Sequence, residues 1–230
     1  MACGLYSASD VILLLGEGDF SFAASLARAF PSGQSMTSTS LDNKAALKRS
    51  YADATRHLRL LRDKGARVLH AIDAANLHRR ADLVVDGGYD RVVWLFPHPG
   101  WLEKPSLDGR GCRHGCETDQ VKVERHRELL RRFFASFDSE PRLSHSATAI
   151  HITTKAAVDG HNLWAISTLG DGSGWTCVRC VRFDPDEYAL YKHKYGNFKF
   201  NSTHGADESF PLNTDDAPAV TYIFRKRTDG

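Results

Sequence analysis

The chain has 230 residues, enough for one large domain or at most two small ones, and its 42% hydrophobic and 25% charged residues are typical of a globular protein. A formal net charge of +2 does not by itself require a nucleic-acid partner, so any basic surface must be local. No segment reaches the ~18 apolar residues of a membrane span, the N-terminus lacks the basic region of a signal peptide, and the cysteines show no disulfide pattern, so we expect an intracellular protein.

Strands and helices alternate along the chain. The predicted strands are Val11–Leu15, Met36–Leu41, Arg67–Ile72, Asp90–Leu95, Ala147–Thr153, Trp175–Phe183 and Ala219–Phe224. The predicted helices are Phe20–Phe30, Lys44–Lys64, Asp119–Phe137 and His161–Leu169. This order predicts an α/β fold with a mainly parallel seven-stranded sheet, an antiparallel pair at one edge, and a single domain over residues 1–230.

The first predicted strand leads into Gly16-Glu17-Gly18-Asp19, which precedes a helix. Glycines allow a tight turn and leave room for a ligand against the backbone. The helix N-terminus favours negative charge, but the two acids would repel a pyrophosphate. A ligand with a cationic end, such as S-adenosylmethionine (SAM), suits this loop better. An NAD-type site is disfavoured because Ser21 replaces the third glycine of G-x-G-x-x-G.

Two more acids follow the next strands. Asp42 and Asp73 each stand where a predicted strand ends, and ligands of open α/β sheets bind at that edge. There the carboxylates could accept hydrogen bonds from ribose hydroxyls or lie near an adenine amine. The alternative is that both aspartates cap helices.

Five stretches occur in an order that resembles the Rossmann-like rRNA methyltransferase family typified by the yeast enzyme that methylates N3 of a uridine in large-subunit rRNA. They read LLLGEGDFSFAASLA, TSTSLD, GARVLHAIDA, YDRVVWLFPHPG and AIHITTK. The resemblance implies a class I SAM-dependent methyltransferase fold, an rRNA or pre-ribosome partner, and a nucleolar or nuclear location in a eukaryote. It places the cofactor at Gly16, Glu17, Gly18, Asp19 and Phe20, with Asp42 and Asp73 further along it.

The resemblance also directs attention to Phe96-Pro97-His98, after the fourth strand. The family has asparagine before this motif, whereas this chain has Leu95, which cannot hydrogen-bond to a target base. His98 is the candidate general base, because histidine titrates near neutrality. Phe96 could stack on the base, and Lys155 could contact a phosphate or polarise a carbonyl. Structural alternatives are a histidine bound to the loop backbone, a packed phenylalanine and a solvated lysine.

A second candidate substrate site is the segment from Tyr188 to Phe200, which interleaves aromatic and basic residues as single-stranded nucleic-acid binding requires. The predicted RNA contacts are Tyr191, Lys192, Lys194, Tyr195 and Lys199, and a solvent-exposed loop is the alternative. The opposing functional hypothesis, suggested by Leu95, is a non-catalytic module that keeps the SAM fold for RNA or protein binding.

The cysteines raise the question of zinc. Cys112, His114 and Cys116 are clustered, and Cys177 and Cys180 have C-x-x-C spacing. The second pair falls in a predicted strand, where an odd spacing places the two side chains on opposite faces. We therefore predict no metal site, with redox or metal chemistry at the Cys112–Cys116 loop as the alternative.

Overall fold

A computed structural model describes residues 1–100, 119–155, 165–194 and 218–227. Within these ranges the strands are β1 (Ala2–Cys3), β2 (Tyr6–Ser7), β3 (Ile12–Leu15), β4 (Met36–Ser40), β5 (Arg67–His70), β6 (Arg91–Leu95), β7 (Ala149–Lys155), β8 (Trp175–Arg182) and β9 (Ala219–Lys226). The α-helices there are α1 (Ser21–Ala29), α2 (Lys44–Ser50), α3 (Ala54–Asp63) and α4 (Asp119–Asp138).

In the described part of the chain, seven strands form one sheet in the order β5-β4-β3-β6-β7-β9-β8. Strands β3 to β7 pair in parallel, while β9 pairs antiparallel with both β7 and β8. The predicted parallel sheet with an antiparallel edge pair is confirmed. The chain continues from β3 to β4 on one side and later returns to β6 on the other side, so the strand order reverses at β3. An open α/β sheet binds its ligand at the carboxyl ends of the strands where the order reverses.

Strand β3 is buried on both faces and joins the two halves of the core. Leu13 and Leu15 face the cluster that packs under α4, while Ile12 and Leu14 face the cluster under α1 and α3. All four side chains are 2% exposed or less. This arrangement explains why β3 is a continuous apolar run.

The predicted helix Lys44–Lys64 is two helices. Asn43 caps α2 by accepting hydrogen bonds from the backbone N–H groups of Ala45 and Ala46. Tyr51 then adopts an extended backbone (φ −137°, ψ 112°) and buries its ring, and α3 begins three residues later. Helical spacing of apolar residues continues across the break, so the periodicity alone could not reveal it.

Other corrections are small. The structure adds a short hairpin of β1 and β2 that the sequence analysis missed. Of the predicted helix over 161–169, residues 161–164 lie outside the described residues, and Ile166–Thr168 forms a single 3-10 turn. In the described ranges no helix is both long and apolar enough to cross a membrane.

The prediction that Cys177 and Cys180 point to opposite faces is wrong. A β-bulge in β8 pairs Cys177 with Phe224 and Cys180 with Tyr222 on β9, which leaves Val178 as the extra residue. An extra residue restores an even spacing, so both thiols lie on one face with their sulfurs 3.9 Å apart. No group of three or more metal ligands occurs among the described residues, and the Cys112–Cys116 cluster lies outside them.

Candidate active site

A cavity of about 670 Å³ opens at the carboxyl ends of the parallel strands. Its walls come from the loop after β3, the ends of β4 and β5, the turn after β6, the end of β7 and the segment 191–194, hereafter the strap. Ten of the eleven residues predicted for cofactor binding or catalysis line it, namely Gly16, Glu17, Gly18, Asp19, Asp42, Asp73, Phe96, Pro97, His98 and Lys155. The structure therefore brings together residues that are distant in sequence.

Hydrogen bonds hold the glycine loop in place. The N–H of Glu17 donates to the Thr39 carbonyl at 2.8 Å, tying the loop to β4. Asp19 accepts the N–H of Ser21 on Oδ1 at 2.9 Å, and its carbonyl lies 2.7 Å from Nδ1 of the buried His57. Because a carbonyl can only accept, Nδ1 of His57 carries a proton. His57 on α3 is a supporting residue that the sequence analysis missed.

The two loop acids have different surroundings. Glu17 is 8% exposed, and its Oε2 accepts the N–H of Ala23 in the first turn of α1 at 3.2 Å. Burial raises the pKa of the Glu17 carboxyl to about 8, with a smaller contribution from the charge of Asp19. Asp19 instead faces the ammonium group of Lys194 at 3.1 Å. Glu17 thus stabilises the start of α1, while Asp19 presents charge to the cavity.

Asp42 and Asp73 both line the cavity but differ in how they are engaged. Asp73 accepts hydrogen bonds from the N–H of Ala75 and the amide of Asn76, so it caps the 3-10 helix Ala74–Arg79. Asp42 is not a helix cap, because Asn43 performs that task. Burial raises the pKa of the Asp42 carboxyl. Asp42 is therefore the acid with oxygens available for a ligand.

Phe20 does not line the cavity, contrary to the prediction of a cofactor contact. Its backbone is left-handed (φ 61°), and its ring is fully buried with an edge-to-face contact to His70, centroids 5.9 Å apart. The left-handed turn directs the ring into the core instead of toward the cavity.

The turn after β6 carries the predicted target-site residues. Phe96 has a left-handed backbone (φ 50°), a strained conformation for a large side chain. Its ring packs 4.3 Å from that of His193 and 6.1 Å from that of Phe183. Pro97 is buried, whereas His98 is exposed and its Nδ1 accepts the N–H of Gly100 at 3.0 Å. This contact matches the structural alternative for His98, a histidine that hydrogen-bonds to the backbone of its own loop.

The strap contains three of the five predicted RNA contacts, and the cavity buries two of them. The Tyr191 ring packs edge-on against Phe22 at 5.8 Å. The Lys194 side chain is 4% exposed and lies near the carboxylates of Asp19 and Asp53, so it cannot act as a surface phosphate contact. Lys192 is exposed at the cavity wall, while Tyr195 and Lys199 lie outside the described residues.

His193 is a cavity residue that the sequence analysis did not single out. Its Nδ1 lies 3.2 Å from the Tyr191 hydroxyl, and its ring packs against Phe96. Burial, assisted by the charge of Lys155, lowers the pKa of His193 to about 4, so the ring is neutral at pH 7. The interleaved pattern Tyr-Lys-His-Lys indicated that this segment takes part in binding, but it did not indicate which of its side chains point into the cavity.

These residues fit SAM. Asp19 has a buried Oδ2 whose ion-pair partner is the ammonium of Lys194, so this carboxylate already holds a cation of the kind that the cofactor carries. Asp42 offers oxygens of the kind that ribose hydroxyls bind, and the glycine loop leaves the backbone open to the cavity. The reversal of strand order, the glycine loop and the successive acids define a class I SAM-dependent methyltransferase domain with SAM as cofactor.

Comparison with known proteins gives the family. The model of the family described as BMT5-like rRNA (uridine-N3-)-methyltransferases matches residues 13–195, and the chain belongs to this family. An uncharacterized protein of Arabidopsis thaliana is 32% identical over 219 residues, covering 95% of this chain and 94% of its own length.

A longer plant relative and a solved structure complete the comparison. Heavy metal-associated isoprenylated plant protein 41 of Arabidopsis thaliana is 33% identical over 84% of this chain, which spans only 34% of that relative. A variant of the 16S rRNA (adenine(1408)-N(1))-methyltransferase from Catenulisporales acidiphilia aligns with a TM-score of 0.50 at 14% identity, covering 97% of this chain and 90% of that one. The structural likeness supports the fold.

Replacing Asp42 by alanine should weaken SAM binding by ~1–3 kcal/mol, because polar partners in the complex would lose a buried acceptor. Titration calorimetry on the purified chain measures this directly. The matched control is Asp63→Ala, which removes an aspartate that is 59% exposed on α3 and distant from the cavity wall. Equal affinities of the Asp42 variant and the wild type would refute a ribose contact.

Proposed function

We propose that this chain methylates N3 of a uridine in large-subunit ribosomal RNA. Family membership supports the reaction. The observation that carries the proposal is that one cavity contains both the acids of the cofactor loop and the Phe96-Pro97-His98 turn. Ribosomal RNA or a pre-ribosome is then the partner, with a nucleolar or nuclear site of action in a eukaryote.

The cavity walls suit an RNA substrate. SAM supplies an electrophilic methyl group on a sulfonium, so the protein contributes chiefly proximity and orientation. Phe96 and His193 provide paired aromatic rings against which a flipped base could stack. Three exposed basic side chains, those of Lys155, Arg132 and Lys192, also line the cavity and can bind the phosphates next to that base.

The geometry supports His98 as a donor more than as a general base. Since Nδ1 accepts the N–H of Gly100, the neutral ring carries its proton on Nε2. A protonated Nε2 can donate to a uracil carbonyl but cannot take the proton from N3. We therefore assign His98 to orientation of the base within the cavity.

His98→Ala should lower kcat about fivefold, the effect of losing one hydrogen bond of ~1 kcal/mol. SAM affinity should stay within about twofold, because the cofactor acids are untouched. His98→Gln keeps a donor and should recover most of the rate. Single-turnover methyl transfer measures both, and a loss of ~10³-fold or more would instead support the general-base role.

Nucleoside mass spectrometry tests the proposed function. The purified chain is incubated with SAM and total RNA from cells in which its gene is deleted, and the RNA is digested to nucleosides. We expect N3-methyluridine in large-subunit rRNA. Methylation of another nucleoside would overturn the assignment.

The competing function is a non-catalytic module that binds RNA or protein, and Leu95 is the observation that favours it. Leu95 lines the cavity at the position where the family has asparagine, and it packs against the core beside Phe96. SAM binding without any transfer would support the module. Gain of transfer in Leu95→Asn would then show that this chain lost catalysis at that position.

A further inference from the structure

Lys194 is a buried cation inside the cofactor cavity. Its Nζ lies 3.1 Å from Oδ2 of Asp19 and 3.7 Å from Oδ2 of Asp53, and its side chain is 4% exposed. Asp19 is 6% exposed, whereas Asp53 is 46% exposed at the start of α3. The strap thus brings a positive charge to a carboxylate of the glycine loop.

The ion pair between Lys194 and Asp19 is close but poorly aligned. Oδ1 of Asp19 is satisfied by the N–H of Ser21 at 2.9 Å. Oδ2 accepts no well-formed hydrogen bond from the described residues, although the ammonium is within ion-pair distance. A buried pair without aligned hydrogen bonds recovers only part of its desolvation cost. An exchange in which Lys194 and Asp19 each gain a better-aligned partner would therefore lower the free energy.

SAM ends in an amino acid, with an ammonium and a carboxylate on one carbon atom. We propose that Lys194 is a specificity-determining residue that binds this carboxylate while Asp19 binds the ammonium. The contact between Lys194 and Asp19 opens, and each charge gains a partner of opposite sign from the cofactor. No charge is left unpaired, since the zwitterion supplies one of each sign.

Asp53 makes the exchange possible. Its Oδ2 lies 3.7 Å from Nζ of Lys194, and Asp53 directly precedes α3, so it is independent of the glycine loop. When Asp19 turns to the cofactor, Asp53 still holds Lys194 at the cavity. The arrangement also explains a lysine at this position: it serves the cofactor, while the exposed Lys192 two residues earlier remains available to RNA.

Three adenosine ligands with different amino-acid ends, each compared between wild type and variant, test the assignment by calorimetry without RNA. S-adenosylhomocysteine has both charges, decarboxylated SAM keeps the amine but lacks the carboxylate, and 5′-methylthioadenosine lacks both. Lys194→Met should weaken S-adenosylhomocysteine binding by about 10- to 100-fold, the effect of losing a charged hydrogen bond. It should not weaken binding of the other two ligands.

Matched variants complete the test. Lys48→Met, at an exposed lysine of α2 that does not line the cavity, should leave all three affinities unchanged, and Lys194→Arg should retain most of the affinity for S-adenosylhomocysteine. Asp19→Asn should weaken S-adenosylhomocysteine and decarboxylated SAM alike, but not 5′-methylthioadenosine.

Three results would overturn the proposal. Tighter S-adenosylhomocysteine binding by Lys194→Met would mean that Lys194 blocks the amine site, and an unchanged affinity would mean that it lies apart from the ligand. Equal losses for all three ligands would indicate a purely structural role. Thermal denaturation of each variant identifies any that fail to fold, and Lys194→Arg then carries the comparison between ligands.

Discussion

Gly16→Ala should destabilise the chain by ~2–5 kcal/mol. Gly16 has φ 64°, and a Cβ at this position would lie 2.6 Å from Nε1 of Trp94. An L-residue in the left-handed region costs ~1–2 kcal/mol, and overpacking a filled site adds ~1–3 kcal/mol. Trp94 cannot retreat easily, because it is 6% exposed and packs edge-on against Phe133 at 5.2 Å.

Gly18→Ala is the matched control in the same loop. The Cβ added there would lie 3.1 Å from the Tyr51 hydroxyl, the outer end of a side chain, and φ is not in the left-handed region. We expect a loss below ~1 kcal/mol for this variant. Urea denaturation of both variants measures the free energy of unfolding. Similar stabilities for Gly16→Ala and the wild type would show that the loop relaxes around the methyl group.

The difference between these glycines shows that the sequence predicts where the loop lies but not which of its glycines is sterically required. Gly16 and Gly18 are equivalent in the motif, and their placement at the end of β3 followed from the apolar run before them. Only the structure shows that Gly16 is required by Trp94, a residue 78 positions away on the neighbouring strand β6. Contacts that depend on how strands pair are not encoded in local spacing.

The sheet was predictable because alternation of buried strands and helices is a local signal with strong physical causes. The carboxyl edge then placed the glycine loop, Asp42 and Asp73 together without knowledge of side-chain contacts. Lys194 is an example of what such reasoning does not predict, namely the direction of an individual side chain. Basic residues between aromatic ones predict nucleic-acid binding, but within one short segment Lys192 is exposed and the Lys194 side chain is buried.

Two other failures have a common cause. In each case the backbone of a single residue departs from the surrounding helix or strand, and this redirects the side chains that follow. Neither composition nor spacing of the residues predicts such a departure. Tyr51 is one example, since its extended backbone divides the predicted helix. Val178 is the other, since the bulge it creates brings Cys177 and Cys180 to one face of β8.

The contribution of Glu17 to the stability of the chain should fall as pH rises from about 5 to 8, by up to ~1.4 kcal/mol per pH unit. The Glu17 carboxyl has a pKa of about 8 in the folded chain, raised from 4.5 chiefly by burial. The folded chain therefore retains a proton that the unfolded chain releases in this window. This stability is fully present below pH 4.5 and lost as pH rises through 8.

Glu17→Gln isolates the contribution of this carboxyl. Glutamine keeps an oxygen for the N–H of Ala23 but cannot ionise. The variant should match the wild type near pH 5 and exceed it by ~3–5 kcal/mol above pH 8. Urea denaturation at pH 5, 6.5 and 8.5 measures the difference, with Glu128→Gln on the exposed surface of α4 as control. Parallel curves for Glu17→Gln and the wild type would contradict the prediction.

The same proton should respond to the cofactor. SAM brings a cationic end to the loop that contains Glu17 and Asp19, and a nearby positive charge favours the ionised carboxylate. Binding at pH 7 should therefore release a proton from Glu17, and affinity should rise as pH approaches 8. Calorimetry in buffers of different ionisation enthalpy counts the released protons. Glu17→Gln should release fewer, because a glutamine amide has no proton to lose.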